Sequence, residues 1–187
     1  MADRFDYILQ RWKTPRPRSD FTPYAVVSRV LRAAHFLQSR LDRIAASYGL
    51  SHRGDLEVLT ELELVGPLTP SELAETLLLT TGGMTVRLNR LQALSLVERQ
   101  PHPRDGRGVL VRLTKEGHHL ADDALPALLQ AQSTSIESLA PTERKDLIGL
   151  LRTLLIGLGD TSPFVPTVVA QARRGMTDRA RSRSSST

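Results

Sequence analysis

Apolar positions along the chain recur at helical spacing over most of its length. From Tyr24 to Tyr48 one stripe runs through Val27, Leu31, Ala34, Leu37, Leu41, Ile44 and Tyr48, which predicts an amphipathic helix stopped by Gly49. A shorter helix opens at Ser51, carries Leu56, Leu59 and Leu62, and ends at Gly66-Pro67. Thr69-Pro70-Ser71-Glu72 reads as a capping box. The Thr69 hydroxyl can accept from the backbone N–H of Glu72, and the Glu72 carboxylate can accept from that of Thr69, with proline in the first helical position. Leu73, Ala74 and Leu77 form the apolar face that follows. A turn at Leu78–Thr81 leads to a helix over Gly82–Leu94, whose Met84, Leu88 and Leu91 align towards a core.

The period then changes. Leu96–Arg99 and Val109–Leu113 are short β-prone runs, and Gln100–Gly108 between them holds two prolines and two glycines, so a long hairpin is expected. Helical spacing returns from Thr114 to about Leu139, with an interruption at Pro126, and again over Pro141–Leu158 with Leu147, Leu150, Leu151, Leu154 and Leu158 in a stripe. The predicted fold class is mainly α: a winged helix-turn-helix with a small β-hairpin wing and a helical dimerisation region. The expected division is a basic N-terminal arm at 1–23, irregular but with a short helix around Phe5–Arg11. A helical dimerisation region follows at 24–50 and 114–160, a winged DNA-binding domain at 51–113, and a disordered basic tail at 161–187.

Composition narrows the picture. Aromatics are 4% of the chain and cysteine is absent, so leucine and alanine must build the core, and disulfides and thiolate metal sites are excluded. No run approaches the roughly 20 apolar residues of a membrane helix, and Met1–Gln10 lacks the apolar core of a signal peptide. A cytoplasmic protein without membrane contact is expected. The net charge is +5 and concentrates at the ends: Lys13, Arg16 and Arg18 near the start, and Arg173, Arg174, Arg179, Arg181 and Arg183 near the finish. Both can add sequence-independent attraction to phosphate.

The segment with chemistry to offer is Gly82–Leu94. Its face opposite Met84, Leu88 and Leu91 displays Gly82, Gly83, Val86, Asn89 and Arg90, flanked by Thr85 and Arg87, and no acid occurs between Thr80 and Val97. Such a face suits a DNA major groove. Asn89 can pair with adenine, Arg90 with guanine, and the methyls of Val86 or Thr85 with a thymine methyl; Arg87 is better placed for phosphate. The expected contact set is Thr81, Gly83, Thr85, Val86, Arg87, Asn89 and Arg90, joined by Arg104, Asp105 and Arg107 of the hairpin loop. There an arginine can enter a narrow minor groove while Asp105 holds it in place.

Asp105-Gly-Arg107-Gly-Val-Leu-Val111-Arg-Leu113-Thr114-Lys-Glu-Gly117 resembles the wing signature of the multiple antibiotic resistance regulator (MarR) family. Leu73-Ala74-Glu75 and the run Thr85–Leu91 through Leu96–Arg99 resemble that family's helix-turn-helix. The resemblance implies a homodimer built from the first long helix and the last two. It also implies a double-stranded, pseudo-palindromic DNA operator, a small aromatic or anionic effector, and Asp105 with Arg107 as the wing pair. Two positions depart from the pattern: Ser95 stands where a glycine usually ends the recognition helix, and Gly108 replaces a common serine. His35, on the first long helix, is the one candidate for touching an effector.

Taken together, these features point to a sequence-specific DNA-binding transcriptional regulator, a repressor released by an effector, and not to an enzyme, cofactor binder or metalloprotein. His118-His119 with Asp122 and Asp123 offers too few ligands at useful spacing to hold a metal. An architectural DNA binder and a winged-helix protein-interaction module remain open, since fold does not fix function.

Overall fold

The structure, a computed structural model, describes residues 2–161 except Arg104, and the side chains of these except Asp105, Gly106 and Arg107. The elements are α1 (Arg4–Lys13), α2 (Thr22–Ser47), α3 (Arg53–Val65), α4 (Pro70–Thr76), α5 (Thr81–Ala93), β1 (Val97–His102), β2 (Asp105–Leu113), α6 (Lys115–Ser135) and α7 (Pro141–Gly157). This is the mainly helical winged-helix order expected from the pattern. The tail beyond Thr161, expected to be disordered, lies outside the described residues.

The capping box of α4 forms as read: Thr69 N–H donates to Glu72 Oε2 at 2.7 Å, and Glu72 N–H to the Thr69 hydroxyl at 3.2 Å. Leu56, Leu59, Leu62, Leu68, Leu73, Met84, Leu88, Leu91, Val97 and Val111 are buried in one core. That core lies between α3, α4, α5, the hairpin, the start of α6 and the last turn of α2. Leu68 adds a short third edge to the hairpin by exchanging backbone hydrogen bonds with Val111 at 3.1 and 2.7 Å. Gly117 explains its place in the wing signature. A Cβ there would sit 2.0 Å from the Leu96 carbonyl oxygen, so only glycine lets α6 start against the strand.

Three elements differ from the sequence expectation. The short helix expected around Phe5–Arg11 is present but longer: α1 runs from Arg4 to Lys13 because Asp3 and Asp6 form a second capping box and Phe5 buries against α2. The hairpin strands are longer, since β1 reaches His102 and β2 begins at Asp105, pairing through Pro101↔Val109 and His102↔Asp105 across an irregularity. Pro126 does not interrupt α6, which is continuous over Lys115–Ser135. A proline removes one helical hydrogen bond. Here the Tyr48 hydroxyl donates to the Asp123 carbonyl at 2.9 Å in the preceding turn, and buried Ala121 and Ala124 anchor that turn on the core.

Candidate nucleic-acid interface

The loop between α4 and α5 aims the second helix. Leu78 takes a left-handed φ of 51°, which reverses the chain, and its side chain is 81% exposed. Thr80 then caps α5, its hydroxyl accepting from Gly83 N–H at 3.1 Å. At the far end Ser95 sits at φ 57°, the left-handed value its glycine-like position demanded, at a cost of roughly 1 kcal/mol for a residue with a Cβ.

Met84, Leu88 and Leu91 are buried, as the spacing predicted. On the other side Thr81, Gly82, Gly83, Thr85, Val86 and Asn89 are exposed, Val86 at 63%. A Cβ at Gly82 would meet nothing within 4 Å, so no packing inside the protomer explains a glycine there. The Thr85 hydroxyl donates back to the Thr81 carbonyl at 2.9 Å. Thr81, Gly83, Thr85, Val86 and Asn89 therefore come together on one open surface.

Arg87 and Arg90 do not join them. Arg90 grips Asp55 with two hydrogen bonds, Nε to Oδ2 at 2.9 Å and Nη2 to Oδ1 at 2.5 Å. Arg87 donates to the Gly54 carbonyl at 3.0 Å, with its Nε 3.9 Å from the same carboxylate. Asp55 is 0% exposed, so its charge requires these partners. Hydrogen bonding to the Asp55 carboxylate raises the Arg90 pKa against the opposing effect of desolvation, so the guanidinium is charged at any working pH. In place of the guanine and phosphate contacts expected from the sequence, both arginines in this DNA-free structure turn back to α3 and tie α5 to it. Gly54 leaves room for this, because a Cβ there would lie 2.1 Å from Arg87 Nη1.

Asp55 was missed from the sequence, although its spacing to Val58, Leu59 and Leu62 puts an acid on the buried stripe of α3. Arg99 of β1 was missed too. Its Nη1 donates to Gln92 Oε1 at 2.7 Å and its Nη2 to Asn89 Oδ1 at 2.8 Å. Arg104 falls outside the described residues, and so do the side chains of Asp105 and Arg107. His35 is exposed on α2 with its ring edge-on to Phe36, centroids 5.7 Å apart. His118 pairs through Nδ1 with Glu63 Oε2 at 2.6 Å, joining α6 to α3.

A family model described as MarR family matches residues 48–108, which span α3, α4, α5 and the turn of the hairpin. The repressor NicR of Pseudomonas putida is 30% identical over 144 residues, 73% of this chain and 88% of NicR. The chain belongs to the MarR family. The transcriptional regulator PecS of Dickeya dadantii is 27% identical over 147 residues, 77% of this chain and 88% of PecS. A mutant MarR from E. coli, solved in complex with operator DNA, superposes with a TM-score of 0.65 at 26% identity, covering 73% of this chain and 99% of that one. MarR-family membership thus rests on relatives matched over 73% and 77% of this chain and not on the wing motif alone.

Proposed function

We propose that this MarR-family chain is a sequence-specific, double-stranded DNA-binding regulator, a repressor acting as a homodimer. The single observation that carries this reading is the outer face of α5. It is exposed, free of acids, opened by a capped N-terminus and flanked by the hairpin. An α-helix presented this way fits a major groove, and its N-terminal amides favour phosphate. The operator-bound mutant MarR is similar in fold over nearly its whole length.

A homodimer is supported by α7. This helix of 17 residues has no buried residue, yet Ile148, Leu150, Leu155 and Ile156 lie bare along it and Leu158 at its C-cap. On α2, Val27 and Leu31 are 52% and 64% exposed although they lie on the apolar stripe. Apolar surface on this scale marks an interface, and a two-fold dimer would set two α5 helices one DNA turn apart. The wing residues Arg104, Asp105 and Arg107 complete the proposed contacts with the backbone or minor groove.

Repression relieved by a small aromatic or anionic effector fits the same design, since a ligand that prefers one dimer shape shifts the spacing of the two helices. A 260 Å³ cleft between α1 and α2 is lined by Leu9, Phe21, Ala25 and Val26 together with Lys13, Asp20 and Arg29; because Arg29 is already paired with Asp3 and Asp6, its apolar walls suit an aromatic group better than an anion. His35, which does not line this cleft, is carried forward as a separate candidate. No reaction is proposed: the relatives named above are transcriptional regulators. Among the described residues no helix is long and apolar enough to cross a membrane.

Selection from a random duplex pool tests this function. An inverted repeat with half-sites about one DNA turn apart is expected. Enrichment of no sequence, with equal binding to every duplex, would instead point to an architectural binder, and binding to none to a protein-interaction module.

A further inference from the structure

Building on the DNA-binding reading above, we propose that Arg99 sets the base preference of the recognition helix. It occupies the amide oxygens of Asn89 and Gln92, so that Asn89 reads the acceptor edge of guanine and not adenine.

The geometry is specific. Val97 and Arg99, two residues apart on β1, share the strand face that packs towards α5, and Val97 is buried there. Arg99 thereby reaches the last turns of α5, where Asn89 and Gln92 sit three residues apart on one edge. Its two terminal nitrogens each take one amide oxygen, at 2.7 Å from Gln92 and 2.8 Å from Asn89. A guanidinium has only donors, so it can hold a carboxamide only by the oxygen. That fixes which way both amides face. Glu98, the acid nearest in sequence, is engaged with Arg112 across the hairpin and does not compete for Arg99.

The consequence for recognition follows from the hydrogen-bonding inventory. Reading adenine with two bonds requires an asparagine to donate to N7 and accept from the N6 amino group, so it needs Oδ1. Oδ1 keeps a second lone pair, but Arg99 turns it towards β1, so what Asn89 presents away from the strand is its Nδ2 donors. Guanine presents two acceptors, N7 and O6, in the same groove, whereas adenine would leave its amino group unpaired. Asn89 is exposed beside Thr85 and Val86, on the side of α5 proposed to enter the groove. Arg99 is therefore a positioning residue that acts on bases through Asn89, and the adenine pairing expected from the sequence gives way to guanine.

Duplex selection with the full-length wild type, Asn89→Ala, Arg99→Ala and Arg99→Met tests this. The wild type should enrich guanine at one position in each half-site, and Asn89→Ala should lose preference at that position alone. Both Arg99 variants should accept adenine there, with the guanine-to-adenine affinity ratio falling roughly tenfold. The methionine variant keeps side-chain bulk against α5 should the alanine fold poorly. Adenine at that position in the wild type overturns the inference. So does a uniform loss of affinity in both Arg99 variants with unchanged preferences, the signature of a phosphate contact. A wild type that binds no duplex refutes the DNA-binding function itself, a distinct failure.

Discussion

Asp55 and Arg90 show how a charge on a recognition helix can serve the fold before it serves the ligand. The carboxylate is fully buried and the two guanidiniums close over it, so removing a cation strands a charge away from water. Arg90 is 30% exposed, which tempers the cost of breaking so buried a pair. Arg90→Ala should lower unfolding stability by about 1–3 kcal/mol in a urea titration, with base preference unchanged in duplex selection. Normal stability with relaxed preference at one base pair would restore Arg90 to the groove. The buried side of α5 was legible because Met84, Leu88 and Leu91 obey the helical period. The direction of Arg87 and Arg90 was not, because both lie on the boundary between faces and the acid that captures Arg90 is 35 residues away in sequence. Likewise Asn89 could be placed on the outer face from spacing, but its amide orientation depends on Arg99, which reaches it only through the hairpin.

Among the elements, α1 is the one whose seating rests on electrostatics that pH can reach. Arg29 of α2 binds Asp3 at 2.8 Å and Asp6 at 2.6 Å, and its guanidinium lies 5.3 Å over the Phe5 ring. Desolvation pushes the Asp3 carboxyl up, but hydrogen bonds from the Asp6 amide, Arg29 and the Phe5 amide outweigh it and hold Asp3 below the ordinary aspartate range. A depressed carboxylate contributes its stabilisation in full above its unfolded value and loses it as pH falls through the folded one. Docking of α1 should therefore loosen on acidification below about pH 4. Trp12, the single tryptophan, packs 4.6 Å from Tyr24 and reports this by a red-shifted emission. Arg29→Ala should show the shift already at neutral pH; an emission unmoved by either change would contradict this electrostatic docking. Capping boxes were readable at α4 from Thr69 and Glu72. At α1 the charged arm masked the same device in Asp3 and Asp6. Pro126 illustrates the opposite error: the breaker is visible in sequence, while the Tyr48 hydroxyl that supports the turn comes from a distant helix.

At the scale of the whole molecule, a protomer that leaves α7 uncovered is half of something. An isolated helix of this length is marginal in water, so its stability must come from packing. Leu151→Asp with Leu155→Asp, one turn apart on α7, should halve the mass seen by light scattering and lower affinity for the selected operator by at least tenfold, because two linked half-sites no longer cooperate. A double variant that keeps its mass and affinity would place the interface elsewhere. The helical order, the hairpin and the unpartnered apolar stripes were all readable from periodicity. How the two copies meet was not, because symmetry leaves no mark on a single chain. Beneath all of this lies the proposition that the outer face of α5 meets base pairs, and the equilibrium affinity of Val86→Glu for the selected duplex tests it most directly. Val86 is 63% exposed, so the change should leave the melting temperature as it was. It would set a negative charge in the middle of the contact, and a loss of roughly a hundredfold or more is expected. An affinity equal to that of the wild type would contradict groove binding by α5.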